Sequence, residues 1–191
     1  MIQSSDTNAQ YPSLRGKSVF ITGGGTGIGE VMVEQFSAQG AKVCFVDVNR
    51  EKSQALVERV SQRYGADVLF IECDIRDIAC LERAIAKAGE VNGDVSVLVN
   101  NAADDTRHEL EDVDEDYWQD RIDVNLRPSF FAAKAVVEQM RRGGGGSIIN
   151  VGSVSWRQKQ TCMPVYTTAK AAIDGLTRTL AAKLGADKIR V

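Results

Sequence analysis

Tyr166 and Lys170, four residues apart in the segment YTTAK, could together transfer a proton. At that spacing the two residues lie one turn apart on the same face of a helix. The lysine ammonium then favours the phenolate form of the tyrosine by charge attraction, and a phenolate can act as a general base. Ser153, in the segment GSVS, places a hydroxyl group thirteen positions before the tyrosine. The tyrosine and the lysine predict a proton-transfer pair.

A glycine-rich turn near the start of the chain predicts a cradle for a dinucleotide. The segment SVFITGGGTGIGE runs from an apolar, β-branched strand through this turn into a helix. Gly23 permits the tight turn, Gly27 lets the backbone approach a pyrophosphate, and Gly29 allows close packing of helix on strand. The N–H groups at the helix start, around Ile28, are donors for phosphate, and the helix dipole adds positive potential.

Asp47 lies at the end of the next predicted strand, in CFVDVNR, eighteen positions after Gly29. A carboxylate at about this distance from the glycines binds the ribose 2′-hydroxyl of NAD. The same charge repels a 2′-phosphate, and residues 24–26 carry no cation that could hold one. Arg50 lies close enough in sequence to weaken this argument. The sequence therefore favours NAD as the cofactor, with NADP as the less favoured alternative.

Short apolar runs alternate with amphipathic segments along the chain. The predicted strands cover residues 18–22, 42–47, 67–72, 95–99 and 147–151, and a sixth begins at 188. The predicted helices cover residues 27–39, 51–63, 78–88, 114–141 and 164–184. This alternation predicts an α/β fold: a Rossmann-type, doubly wound parallel sheet in three layers, with ligands beyond the carboxyl ends of the strands. Residues 14–191 are expected to form this single domain, after a flexible N-terminal segment over residues 1–13.

The composition argues against several classes of function. The chain has 191 residues, 43% of them hydrophobic, and a net charge of −3, without the basic excess that nucleic acid or anionic lipid requires. The first residues do not resemble a signal peptide, and no apolar run reaches the ~20 residues needed to span a bilayer. We therefore expect a cytoplasmic protein. The four cysteines lack CxxC spacing, which argues against a metal site or a disulfide.

Five motifs in a fixed order resemble those of the short-chain dehydrogenase/reductase family, over all but the first residues of the chain. They are TGxxxGxG, NNAA ending at Ala103, IDVN ending at Asn125, a serine at Ser153, and YxxxK. The resemblance implies that Tyr166 exchanges a proton with the substrate while Ser153 hydrogen-bonds the reacting oxygen. It also implies that Lys170 holds the nicotinamide ribose and that Asn125 anchors a water linking the lysine to solvent.

The same resemblance adds residues to the expected cofactor site. Asp74 and Ile75 follow the third predicted strand and are expected beside the adenine. The backbone of Asn100 and Asn101 is expected to line the cofactor. An aspartate in the position of Asp74 could instead be the N-cap of the following helix.

Each candidate for catalysis also has a purely structural interpretation. A tyrosine and a lysine taken singly are more often an exposed aromatic and a solvated cation, and a single serine usually belongs to a loop or a cap. Asn125 could simply cap or kink a long helix. The spacing of these residues relative to one another favours the catalytic interpretation.

Polar loops follow the fourth and fifth predicted strands, on the expected substrate side, and read DDTRHEL and SWRQKQT. Asp105 can accept hydrogen bonds from hydroxyl groups, Arg107 and His108 can donate them, and Trp156 offers a flat apolar face. With the catalytic serine and tyrosine, these residues predict a pocket for a polyhydroxylated ligand. Charged loops of this kind could equally be a solvated surface.

Longer segments, such as NNAADDTRHELEDV and YWQDRIDVNLR, resemble the bacterial NAD-dependent aldose 1-dehydrogenases of the D-xylose type. This resemblance implies hydride transfer from the C1 hydroxyl of a cyclic sugar to NAD, giving a lactone. Two alternatives stay open. One is a 3-oxoacyl or other carbonyl reductase of the same family, which Asp47 disfavours, and the other is an inactive nucleotide-binding remnant.

The resemblance also bears on the end of the chain and on assembly. The final residues KIRV resemble the first half of a sixth strand, which in the family continues into a proline-glycine turn, a mobile substrate lid and a seventh strand. We therefore expect a domain that is incomplete at its C-terminus. In the family two long helices pair across an interface, which predicts a homodimer or homotetramer through residues 114–141 and 164–184.

Overall fold

Six parallel strands form one sheet in the computed structural model, which describes residues 9–191. The strands are β1 (Ser18–Thr22), β2 (Lys42–Asp47), β3 (Leu69–Glu72), β4 (Val95–Asn100), β5 (Gly146–Asn150) and β6 (Ile189–Arg190). Their order is β3-β2-β1-β4-β5-β6, and every neighbouring pair is parallel. The direction of winding changes between β1 and β4, which is where this topology opens a crevice for ligands. The predicted fold class is confirmed.

Helices cover both faces of the sheet. They are α1 (Gly27–Ala38), α2 (Arg50–Tyr64), α3 (Ile78–Asn92), α4 (Glu115–Asn125), α5 (Arg127–Arg142) and α6 (Pro164–Leu184). Single 3₁₀ turns cover Pro12–Leu14, Leu110–Asp112 and Gly185–Asp187. Successive side chains of β1 enter opposite cores: Phe20 packs with α3 and α5, whereas Val19 and Ile21 pack with α1 and α2. Because the strand is covered on both faces, all five of its residues are buried.

Short polar side chains start three of the helices. The carboxylate or amide oxygens of Asn49, Asp77 and Asp114 accept the N–H groups of Lys52, Cys80 and Tyr117 at the starts of α2, α3 and α4. Such caps satisfy donors that have no partner within the helix and typically contribute about 1 kcal/mol each. The caps fix where the helices begin relative to the strand ends.

The single helix predicted over residues 114–141 is wrong: the structure has two helices, α4 and α5, which meet at Leu126. The backbone there leaves the helical region, with φ −133° and ψ −57°. Pro128 explains the break, because it has no N–H to donate and its ring would clash with the carbonyl group four residues earlier. The proline instead occupies the first turn of α5, where it is well tolerated.

Smaller differences concern the ends of elements. β3 begins at Leu69 rather than at 67, β6 begins at 189, and α3 continues to Asn92. Residues 1–8 of the expected flexible segment lie outside the described residues. Within the rest of that segment, the N–H group of Tyr11 donates to Gln39 Oε1 at 2.7 Å, and Gln39 Nε2 donates to the carbonyl of Ala9.

Three further observations concern residues 9–191. None of the helices there is long and apolar enough to cross a membrane. No cluster of three or more histidine, cysteine or acidic side chains is arranged to hold a metal ion in that range. All four cysteines are free, and burial raises the pKa of Cys44 to about 12, so this thiol stays protonated near neutral pH.

Candidate functional site

A cleft of about 730 Å³ opens at the carboxyl ends of the strands, and we call it the main cleft. All the residues predicted for the cofactor line it except Asn100, which is buried behind it at the end of β4. The lining residues from that prediction are Gly23, Gly27, Ile28, Gly29, Asp47, Asp74, Ile75, Asn101, Tyr166 and Lys170. Because the strands are parallel, their carboxyl ends and the loops that follow them meet in this one place.

The glycine-rich turn between β1 and α1 forms one wall of the main cleft. Gly23 has φ +65°, a conformation that side chains disfavour, and a Cβ there would lie 2.8 Å from the Cα of Ala102. A Cβ at Gly29 would overlap the carbonyl oxygen of Gly23 and lie 2.7 Å from Asn101 Nδ2. The start of α1 therefore packs directly on the end of β1. The Thr26 side chain makes no capping hydrogen bond, so the first N–H groups of α1 remain available to an anion.

Asp47 braces the same turn from the end of β2. Its Oδ2 accepts the N–H of Gly25 at 2.8 Å, and its Oδ1 accepts the N–H of Asn49 at 2.8 Å. Each carboxylate oxygen keeps a further lone pair for a ligand. Arg50 does not line the main cleft and pairs instead with Glu72 at 3.5 Å, with both side chains more than half exposed.

Five alternating charges connect the loops after β3 and β4 through α4. Arg76 lies 2.6 Å from Asp74 and 2.6 Å from Asp120, and Arg121 pairs with Asp120 and, at 2.5 Å, with Asp104. The hydrogen bonds from Arg76 hold the pKa of Asp74 below its usual value, and those from Arg121 and Arg76 do the same for Asp120. The carboxylates therefore stay charged, and the loops that border the cleft are held to one helix.

Asn125, the last residue of α4, clamps the loop after β4 from inside the protein. Its side-chain Oδ1 accepts the N–H of Asp104 at 2.9 Å. Its Nδ2 donates to the carbonyls of Asp104 and Arg121, each at 3.0 Å. The residue is 2% exposed, so this set of bonds is shielded from water and strong. The role of Asn125 in a proton relay remains a prediction.

Lys170 is buried beside Tyr166 on α6, as the spacing of the pair requires. Its Nζ donates to the carbonyl of Val151 at 2.8 Å and lies 5.7 Å from the centre of the Tyr166 ring. Burial lowers the pKa of Lys170 to about 8, because the charged form is poorly solvated there. The amine is therefore still mostly protonated at neutral pH and close to its titration point.

A second cavity of about 520 Å³ adjoins the main cleft, and the two share Gly152 and Lys170 as wall residues. Ser153 and Trp156 line this second cavity, whereas Tyr166 lines the main cleft. The Ser153 hydroxyl also accepts the N–H of Ser155 at 3.1 Å, which fixes its position after β5. Of the predicted catalytic residues, Lys170 lines both cavities, Tyr166 lines the main cleft and Ser153 lines the second cavity, whereas Asn125 lines neither.

The other residues predicted to bind substrate are dispersed. Asp105 lines the main cleft, but Arg107 and His108 line neither cavity. Arg107 is exposed and lies 3.6 Å from Asp105. His108 is buried and its ring is hydrogen-bonded within the protein, so its surroundings differ from those of a donor that faces a ligand.

Several polar residues that organise the site were not predicted from the sequence. The Thr22 hydroxyl accepts the N–H groups of Asn101 and Ala102 at 3.0 and 3.1 Å, which ties the loop after β4 to the end of β1. Asn150 accepts from Asn100 Nδ2 at 2.8 Å and donates to Thr177 on α6 at 2.9 Å. Thr22 and Asn150 each end a strand of the sheet. A polar residue in that position could have indicated them from the sequence, because ligands bind at the carboxyl ends of parallel strands. Asp174, which lines the second cavity from α6, had no such signal, whereas Arg157 belongs to the loop SWRQKQT that was expected on the substrate side.

The lowered pKa of Lys170 predicts a pH-dependent stability. Between pH 8 and 10.5 the unfolded chain still binds the proton that the native protein has released, so stability rises with pH in this window. Urea denaturation gives the free energy of unfolding of the parent chain and of Lys170→Met at each pH. The difference, parent minus variant, should increase by about 3 kcal/mol between pH 7 and 10.5. Lys183→Met, at an exposed position on the same helix, is the control, and its free energy of unfolding should change with pH in the same way as that of the parent chain. Parallel pH curves for Lys170→Met and the parent would contradict this.

Comparison with known proteins gives a consistent result. Residues 17–191 match the family model described as short chain dehydrogenase. The chain is 47% identical over 184 residues to the "Probable galactose dehydrogenase GalD" of Rhizobium meliloti, covering 96% of this chain and 72% of that protein. It is 45% identical over 187 residues to a D-xylose 1-dehydrogenase of Caulobacter vibrioides, covering 97% of this chain and 73% of that protein.

A solved structure supports the same assignment. A short-chain type dehydrogenase/reductase from Mycobacterium ulcerans superposes with a TM-score of 0.87 at 27% identity, covering 93% of this chain and 66% of that one. In the chain described here the glycine-rich turn and the tyrosine and lysine pair on α6 line the main cleft, and the serine after β5 lines the adjoining second cavity. With the family match over residues 17–191, this protein belongs to the short-chain dehydrogenase family, whose members bind nicotinamide cofactors.

Proposed function

We propose that this protein oxidises the C1 hydroxyl of an aldose sugar to a lactone, with NAD as the hydride acceptor. The observation that carries the proposal is the junction of the two cavities, where Lys170 forms part of both walls, Tyr166 borders one cavity and Ser153 the other. A cofactor in the main cleft and a sugar in the second cavity would then meet at the residues able to move a proton. Relatives named galactose dehydrogenase and D-xylose 1-dehydrogenase support the choice of an aldose.

In this proposal Tyr166 and Ser153 act on the sugar hydroxyl, and Lys170 acts on Tyr166. Tyr166 accepts the hydroxyl proton as the C–H bond breaks, and Ser153 holds the reacting oxygen by a hydrogen bond. The buried Lys170 ammonium favours the phenolate and stabilises it more strongly than it would in water, because the surroundings have a low dielectric constant. The bound nicotinamide supplies the acceptor for the hydride. The protein contributes position and electrostatics.

The main cleft fits a dinucleotide. Cβ atoms are excluded at Gly23 and Gly29, and the first N–H groups of α1 border the same space, so a pyrophosphate can approach the backbone closely. Asp47 supports NAD over NADP, because it lines the main cleft at a strand end where a carboxylate binds the ribose 2′-hydroxyl and repels a 2′-phosphate. Two arginines line the cleft in the described part of the chain, Arg76 and Arg121, and both are already paired with aspartates. They are poorly placed to compensate a 2′-phosphate.

The second cavity supports a polyhydroxylated substrate. Asn150, Asp174 and Thr177 line it with amide, carboxylate and hydroxyl groups, and Trp156 and Arg157 belong to the same lining. The Arg157 guanidinium lies 4.6 Å from the centre of the Trp156 ring, a cation–π contact that fixes the indole. Sugar hydroxyls pair with such polar groups, and the C–H faces of a sugar ring pack on an aromatic ring.

Assembly into a homodimer or homotetramer through α4, α5 and α6 belongs to the same proposal. The helices α4 and α6 pack against each other, and Trp118 and Phe130 on α4 and α5 are 43% and 48% exposed. Large aromatic side chains at a surface are typical of interfaces. Sedimentation equilibrium tests the proposal: a monomer at all concentrations would contradict it.

The proposed reaction predicts NADH formation, measured at 340 nm, when the protein is given NAD and a panel of pentoses and hexoses. Tyr166→Phe removes the proton acceptor and should lower kcat by about 10² to 10⁴ while leaving the KM for NAD within a few fold. Circular dichroism of both proteins controls for folding. A folded parent chain that oxidises no sugar of the panel would refute the aldose assignment, as would equal turnover by Tyr166→Phe.

The proposed cofactor choice predicts that Asp47→Asn favours NADP relative to the parent chain. Removing the charge should raise the ratio of kcat/KM for NADP to that for NAD by about tenfold or more. Asp67→Asn changes the same charge at an exposed position away from the cleft and should leave the ratio unaltered. An unchanged ratio in Asp47→Asn, or a parent chain that prefers NADP, would count against NAD.

A further inference from the structure

His108 lies in the loop after β4 and is buried, with only 9% of its surface exposed. Its Nε2 lies 3.2 Å from the backbone nitrogen of Val165, whose N–H donates to it. Its Nδ1 lies 3.0 Å from the carbonyl of Thr106 and 2.8 Å from the Tyr117 hydroxyl. Because an N–H group can only donate, Nε2 must be the unprotonated nitrogen, and the neutral ring carries its proton on Nδ1.

The bond to Val165 falls at the start of α6. Pro164 is the first residue of this helix and has no N–H, so the N–H of Val165 is its first free donor. Met163, at the N-cap position, makes no side-chain capping bond. His108 therefore supplies the missing acceptor from 57 residues away. The backbone N–H of His108 also donates to the carbonyl of Cys162 at 2.9 Å. The backbone and the ring of His108 therefore both hold this end of α6.

The same imidazole ring connects the helix start to α4. The His108 and Tyr117 rings meet edge to face with their centres 4.8 Å apart. The Arg121 guanidinium lies over the Tyr117 ring, 5.3 Å from its centre. Arg121 in turn holds Asp104 in the loop that borders the main cleft. His108 is thus one link between the start of α6 and the loop that borders the main cleft.

We propose that His108 is a positioning residue: by accepting the N–H of Val165 it caps α6 from a distance and sets where the next residue, Tyr166, stands in the cleft. This inference deepens the proposed function and rests on it only for the effect on turnover. It replaces the expectation that His108 donates a hydrogen bond to the substrate.

The tautomer of His108 is directly measurable, because the chain contains a single histidine. In a tag-free chain labelled uniformly with ¹⁵N, the imidazole nitrogens should report a proton on Nδ1 and a bare Nε2 that correlates with the Val165 amide across the hydrogen bond. A proton on Nε2 would overturn the proposal. This measurement uses the parent chain and does not depend on activity.

Two variants separate capping from packing. His108→Leu removes the acceptor, whereas His108→Gln places an amide oxygen close to the position of Nε2. Amide exchange at Val165 and Tyr166 should accelerate by about fivefold in His108→Leu and return toward the parent rate in His108→Gln. Equal exchange in the parent chain and His108→Leu would overturn the proposal, as would equal acceleration in both variants.

Turnover gives the catalytic consequence. His108→Leu should lower kcat by about tenfold or more with little change in the KM for NAD, because misplacing Tyr166 affects the chemical step and spares cofactor binding. His108→Gln should recover most of kcat. A parent chain that oxidises no sugar would refute the proposed function alone, since the tautomer and the exchange rates would still decide the role of His108. Full kcat in His108→Leu would overturn the positioning role.

Discussion

The parallel pairing of β1 with both β2 and β4 is the constraint on which the rest of this structure depends. It sends the carboxyl ends of three central strands to one edge of the sheet, where the chain winds away in opposite directions. Each strand end then contributes something different: a glycine turn after β1, a carboxylate at the end of β2 and an amide-rich loop after β4. These groups are distant in sequence, and only the sheet brings them together.

Polar contacts among loops complete what the sheet begins. The charge series from Asp74 to Asp104 and the clamp made by Asn125 tie the loops after β3 and β4 to α4. Asn150 connects the end of β4 to α6 in the same way, through its hydrogen bonds with Asn100 and Thr177. Since loops without such bonds move easily, these side chains explain how a cleft built mostly from loops keeps a fixed shape.

Local signals made the central part of this architecture predictable. The strand over residues 18–22, the glycine turn after it and the spacing of Tyr166 and Lys170 each depend on neighbours in sequence, so their placement followed from the residues alone. The break at Leu126 is explained by the single residue Pro128, whereas the long amphipathic pattern around it predicts one continuous helix. Loop composition was a poor guide to burial. His108 lies in an almost wholly polar segment, yet it is buried, because its hydrogen-bond partner Val165 lies at the start of a helix far along the chain.

Asp47 performs two tasks with one carboxylate. It holds the glycine turn by accepting the N–H of Gly25, and in the proposed function the same group recognises the ribose of the cofactor. A lineage that exchanged this residue to accommodate a phosphorylated cofactor would also lose the acceptors for two backbone N–H groups. Cofactor preference and the integrity of the turn are thus linked traits. A substitution at this position therefore alters the hydrogen bonds of the turn as well as the charge that borders the main cleft.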